Sequence, residues 1–194
     1  MKTLNLDLNK QYTFADYLTW FDDKRRELIG GFINFMSPAP VRNHQKISMN
    51  ISYEIKHYLK KKKCEVYSAP FDVRLPKNGE KEDNKIYNVV QPDIVVVCDP
   101  DKLDEKGCIG APDLIVEILS KSTRKRDLQD KFFLYQNSGV NEYWIVYPNE
   151  KTIHKFVLNK KNKYELKGMF VEDDKISPTI FPDLKISISE VFDM

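Results

Sequence analysis

Asp113-Leu114-Ile115-Val116-Glu117-Ile118-Leu119 is a nearly continuous apolar run of strand length with one acid inside it. A run of that kind marks a strand covered on both faces. Side chains alternate along a strand, so Glu117 shares a face with Ile115 and Leu119, while Leu114, Val116 and Ile118 take the other. Glu117 is therefore aimed into an apolar layer, where an ionised carboxylate costs on the order of several kcal/mol unless it meets a cation or hydrogen-bond donors. Upstream, Ile94 to Cys98 is a second buried run, and Asp93 at its start shares a face with Val95 and Val97. Two acids, each at or in a central strand, can converge on one site.

The flanking segments surround this pair with helices and further strands. Phe14, Tyr17, Leu18 and Phe21 fall at helical spacing behind a Thr13 cap, which predicts a short helix from Thr13 to Asp23. Glu27 to Met36 reads as two strands around the Gly30-Gly31 turn, and Ser37-Pro38-Ala39-Pro40 breaks the pattern. Ile47, Ile51, Ile55, Tyr58 and Leu59 share one helix face. Glu65 to Ala69 and Phe71 to Leu75 are expected strands, followed by a charged loop from Pro76 to Asn84. After Leu119 a polar segment leads into a helix over Asp127 to Asn137, ended by Gly139. Glu142 to Val146 and Thr152 to Leu158 form a hairpin, and Tyr164 to Val171 and Leu184 to Ile188 add short strands. The order implies an α/β (α+β) fold in which a mixed sheet is flanked by helices.

Composition narrows the class. At 194 residues the expectation is one domain over 1–194 with a sizeable core. No stretch approaches the ~20 consecutive apolar residues of a membrane helix, and residues 1–10 lack the pattern of a secretion signal, so a cytoplasmic protein with no membrane partner is expected. Three cysteines, Cys64, Cys98 and Cys108, form no CxxC pair, and their odd number favours reduced thiols over a closed disulfide framework. His44, His57 and His154 are too scattered for a zinc site. The net charge of +2 neither demands nor excludes a polyanion. The basic runs Lys60–Lys63, Arg124–Arg126 and Lys160–Lys163 can touch phosphates or be ordinary solvated surface.

Convergent carboxylates suit a hard divalent cation such as Mg²⁺, which takes oxygen ligands and keeps several waters. The competing account pairs Glu117 with a buried Lys or Arg and makes Asp93 a turn cap after Pro92. Lys131 lies three residues after Leu128 and four before Tyr135, on the inner half of its helix. There its ammonium can orient a water and offset phosphate charge, or its stem can pack while its head stays wet. Gln129 and Tyr135 lie near it by helical spacing, Tyr135 as a core residue first.

The strings Gln91-Pro92-Asp93, Pro112 to Ser120, Asp127 to Lys131 and Gly139 to Val146 occur in order, and together they resemble the Uma2 family of restriction-endonuclease-like nucleases. The likeness extends upstream to Glu27 to Gly31, Met36 to Pro38 and His44, and downstream to Phe181 to Leu184 and Ile188 to Phe192. It implies the PD-(D/E)XK fold, a mixed four-stranded core sheet with flanking helices and, here, extra strands. By that likeness Asp93 and Glu117 are the two acids and metal ligands, with the Ile118 carbonyl beside them. The usual lysine, two residues after the second acid, is Leu119 in this chain. Lys131 matches a lysine carried on the following helix, with Lys121 a weaker alternative. Glu27 resembles the early acidic residue that many such nucleases add to the metal, and His44 matches a position that can orient Glu27, pack, or act as a base.

The activity implied is Mg²⁺-dependent hydrolysis of nucleic-acid phosphodiesters, DNA foremost, with Mn²⁺ as a substitute and a homodimer suited to cutting both strands of a duplex. Two rivals stand beside it. One is a nucleic-acid-binding module without cleavage; the other is a structural or partner-binding protein with a buried Glu117–Lys131 pair.

Overall fold

A computed structural model describes residues 4–36, 41–77, 79–120 and 127–193. The Ser37 to Pro40 break, Lys121 and the Arg124–Arg126 run lie outside the described residues. In chain order the elements are helix α1 (Phe14–Tyr17), strands β1 (Arg26–Ile29) and β2 (Phe32–Phe35), helix α2 (Arg42–Leu59), and strands β3 (Glu65–Ser68), β4 (Val73–Arg74), β5 (Val89–Val90), β6 (Ile94–Val97), β7 (Leu103–Asp104), β8 (Gly107–Ile109) and β9 (Leu114–Ile118). Helix α3 (Phe132–Ser138), strands β10 (Glu142–Tyr147), β11 (Thr152–Leu158), β12 (Tyr164–Phe170), β13 (Lys175–Ile176) and β14 (Ile186–Ser187), and helix α4 (Ile188–Phe192) complete the chain.

The expected mixed α/β architecture is present. One six-stranded sheet has the order β12-β11-β10-β9-β6-β3, in which β9 and β10 run parallel and β6 and β9 antiparallel. Every residue of β6 and β9 is buried, as their unbroken apolar character requires. Against one face pack Ile47, Ile51, Ile55 and Leu59 of α2, meeting Ile94, Val96, Leu114, Val116 and Ile118. Each of these buried aliphatic side chains contributes on the order of 2 kcal/mol. Against the other face, Val95, Val97, Ile115 and Leu119 meet Tyr135, Val140, Tyr143 and Ile145. A second six-stranded sheet, β2-β1-β5-β4-β8-β7, carries the N-terminal part of the molecule. All of its strands are two to four residues long, and β5, β7 and β8, among the shorter ones, leave no periodic signal and were not expected from the sequence. No helix among the described residues is long and apolar enough to cross a membrane.

Tertiary contacts alter three local expectations. Helix α1 keeps its Thr13 cap and a capping box with Asp16 but ends at Tyr17 instead of reaching Asp23. Trp20 turns edge-on to Tyr12 at 5.2 Å and Asp22 pairs with Arg26, so packing replaces the further turns and Phe21 is left 88% exposed. The helix expected from Asp127 opens with a π-helical stretch, Asp127–Lys131, before α3 begins, and Gly139 closes it in the left-handed conformation (φ 83°).

The third change concerns the cysteines. Glu65 lies opposite Val97 in the β3–β6 pair, and the next step of that register brings Cys64 opposite Cys98, where a disulfide joins them. The odd count therefore conceals one bridged pair and one free thiol, Cys108, whose burial pushes its pKa up to about 12.

Candidate active site

In the β6–β9 ladder Ile94 faces Val116, Val95 faces Ile115 and Val96 faces Leu114. One step beyond the end of that ladder sets the backbone of Asp93 across from Glu117. The two acids thus belong to one end of the sheet. Asp93 Oδ2 accepts the Ile118 backbone N–H at 2.7 Å, which ties it to the strand carrying Glu117. His44, near the start of α2, places Nε2 3.3 Å from the same oxygen. His44 therefore has a contact with Asp93 that can orient its carboxylate.

Glu117 is 4% exposed and meets its compensation from the facing helix. Lys131 Nζ donates to Glu117 Oε1 at 2.8 Å, and the Tyr135 hydroxyl donates to the same oxygen at 2.7 Å. The two donors are four residues apart, so the helical repeat stacks them on one face. Lys131 is 2% exposed and its head is not in water, which removes the alternative of a packed stem with a wet ammonium. The same Nζ lies 2.7 Å from Oε1 of Glu27, a wholly buried residue delivered by β1 of the second sheet. Two carboxylates from different sheets therefore share one ammonium from a helix.

Burial raises the Tyr135 pKa well above that of an ordinary phenol, and the neighbouring Glu117 and Glu27 charges add to the shift. The hydroxyl keeps its proton and stays a donor. Tyr135→Phe removes a charge-assisted hydrogen bond from a buried carboxylate, and a loss of about 2 kcal/mol is expected in urea unfolding. An unchanged midpoint would mean that Glu117 does not depend on this donor.

Gln91 ties the neighbourhood together. Its backbone N–H donates to Glu27 Oε1 at 2.9 Å, and its side-chain Nε2 donates to Asp72 Oδ1 at 2.8 Å. Its Oε1 accepts from Arg25 at 3.2 and 2.8 Å. Burial raises the Asp72 pKa, opposed by the Gln91 hydrogen bond and the Arg74 charge. Tyr17 beside it is pushed up to about 12, mainly by burial.

The sequence reading placed Tyr135 in the core first and overlooked Gln91, Asp72 and Arg25. The signal for Tyr135 was its spacing from Lys131, and Gln91 stood in the quoted Gln91-Pro92-Asp93 string. Gln129 is exposed.

All the acidic donors here are carboxylate oxygens, the type that a hard divalent cation takes. Among the described residues, however, no three Asp, Glu, His or Cys side chains form a ready cation cluster. The positive charge between Glu27 and Glu117 is the Lys131 ammonium. In donor type the residues fit a metal; in the arrangement observed, lysine does the neutralising.

Residues 14–189 match the Uma2 family, described as "Putative restriction endonuclease". The slr1290 protein of Synechocystis sp. is 30% identical over 134 residues, covering 68% of this chain and 66% of that relative's length. In fold, the chain is similar to a crystal structure from Anabaena variabilis described as a "putative nuclease belonging to DUF820". The TM-score is 0.71 at 21% identity, covering 93% of this chain and 97% of the other.

Proposed function

The chain belongs to the Uma2 family, and on that premise we propose that it is a nuclease that hydrolyses nucleic-acid phosphodiesters, DNA foremost, with Mg²⁺ held by Asp93, Glu117 and Glu27. The observation that carries this reading is the sharing of one buried lysine by Glu27 and Glu117, with Asp93 in register beside Glu117. Clustered carboxylates with a lysine among them have the charges to hold a cation and a phosphate together.

A bound divalent cation supplies Lewis acidity and a water of lowered pKa. The chain's own residues do the remainder. Ile118 N–H and His44 hold the Asp93 carboxylate in place, and Tyr135 holds that of Glu117. Lys131 positions the attacking water and offsets charge that develops on the phosphate oxygens. A two-fold pair of chains would set two such centres against the two strands of a duplex.

The rival favoured by a specific observation is a structural ion pair, because Lys131 already neutralises Glu117 where no ready cation cluster is present among the described residues. A binding module without cleavage is the other. One experiment separates them: plasmid cleavage in Mg²⁺ or Mn²⁺ by wild type, Glu117→Ala and Lys131→Ala. Wild type is expected to cut, EDTA to abolish cutting, and each variant to fall by about 10²–10³-fold. Equal activity in all three would remove the site assignment, and no cleavage by wild type would leave the two rivals.

A further inference from the structure

Resting on the nuclease reading, the register shows which end of the molecule can meet a phosphate backbone. Glu117 lies near the C-terminal end of β9, while the first residue of β10, Glu142, sits beside Leu114 and opposite Val157. The turn that carries Lys160, Lys161 and Lys163 follows β11 and so belongs to the opposite end of the sheet. Lys60–Lys63 lead into β3, whose Glu65 faces Val97, and they belong to that far end as well. Four to five residues of strand, about 15 Å, separate both runs from the carboxylates. These lysines are not placed to grip the phosphate being cut.

Arg25 is. The Met36 N–H donates to the Arg25 carbonyl at 3.1 Å and carries the β1–β2 pairing one step beyond Arg26. Arg25 and Glu27 therefore point to the same face, about 7 Å apart along the strand. Nearby arginines are engaged by acids: Arg26 by Asp22 and Arg74 by Asp104. Arg25 differs. Among the described residues its side chain bonds to the neutral carbonyl of Gln91 alone, through Nε at 3.2 Å and Nη2 at 2.8 Å. Gln91 is itself fixed by Asp72 at 2.8 Å and approached by the Tyr17 hydroxyl at 3.4 Å. Its charge also acts on the nearby Asp72 carboxyl, while three of its five N–H donors stay open and little side-chain entropy remains to be lost on binding. Its exposure leaves those donors open to solvent.

We infer that Arg25, oriented by Gln91, binds a backbone phosphate of the nucleic acid next to the Asp93–Glu117–Glu27 centre. The test is fluorescence anisotropy in Ca²⁺ buffer with a labelled 20-base-pair DNA duplex and the corresponding single strand, across a KCl series. Arg25→Gln is expected to weaken binding about tenfold and to lower the salt slope by about 0.9 on duplex. Arg25→Lys should keep the slope and lose several-fold in affinity, since the charge survives and the fork does not. Replacing Lys160, Lys161 and Lys163 together by Ala should change affinity less than Arg25→Gln does. Thermal melts of each variant check the fold, and if Arg25→Gln is unfolded, Arg25→Lys carries the test. Wild-type binding with Arg25→Gln unchanged in affinity and slope, or Arg25→Lys indistinguishable from wild type, overturns the assignment of Arg25 alone. Absence of wild-type binding to both oligonucleotides overturns it together with the nuclease reading.

Discussion

Lys131→Met is expected to lower the stability of the fold by about 3–5 kcal/mol, the usual cost of deleting one member of a buried ion pair. The side chain that replaces lysine has similar length and packs as well, so the loss is electrostatic. Glu27, wholly buried, and Glu117, 4% exposed, would each lose the ammonium that lies 2.7 and 2.8 Å from them. For a chain of 194 residues this corresponds to a fall in Tm of roughly 10–15 °C. Adding Glu27→Gln and Glu117→Gln to Lys131→Met should return part of the loss, because the uncompensated charges leave with the carboxylates.

The same variant separates a cation site from a purely structural pair. If the carboxylates bind a divalent ion, saturating Mn²⁺ should raise the Tm of Lys131→Met more than that of wild type, since the ion then replaces the missing charge without a competitor. A ligand at 100 times its Kd contributes about 2.7 kcal/mol. A structural pair gives no such recovery. Melting curves with and without Mn²⁺ decide it, and a wild-type Tm in Lys131→Met would remove the buried pair from the energetics altogether.

What the sequence made legible follows the physics of alternation. The faces of Asp93 and Glu117 could be read because each lies at or in an apolar run whose period is two, and the helix register of Lys131 could be read because 3.6-residue spacing needs no tertiary information. The pairing of those runs could not. Apolar strands state that they are covered, not which neighbour covers them or in which direction, so the Asp93–Glu117 register and the arrival of Glu27 from another sheet needed coordinates or a family likeness. Sheet strands such as Val89–Val90 and Leu103–Asp104 are too short to leave a pattern. Tyr135 was readable as core and incompletely so: its ring packs edge-on to Tyr143 at 5.2 Å, while its hydroxyl serves Glu117. Lys131 likewise could be taken for a snorkelling lysine, because a sequence shows the direction of a stem and not what waits at its tip.

Reducing the Cys64–Cys98 bond should lower stability by about 4 kcal/mol without loss of the site's geometry. The cysteines are 34 residues apart, and closing a loop of that size removes unfolded-chain entropy worth about that much at room temperature. The native side of the balance changes little, because β3 and β6 stay paired from Glu65–Val97 to Ser68–Ile94 whether or not the sulfurs are joined. A drop of roughly 8–16 °C in Tm is expected on adding reductant or in Cys64→Ser. The bond lies beyond the end of β6 remote from Asp93, so cleavage measured well below the melting transition should be the same in reduced and oxidised protein. Thiol titration of the unreduced, denatured chain should count one reactive cysteine, Cys108, of the three present. Three reactive thiols together with superimposable melting curves would show that the pair stays open in solution, and cleavage that falls on reduction at low temperature would show that strain at the far end of β6 does reach Asp93.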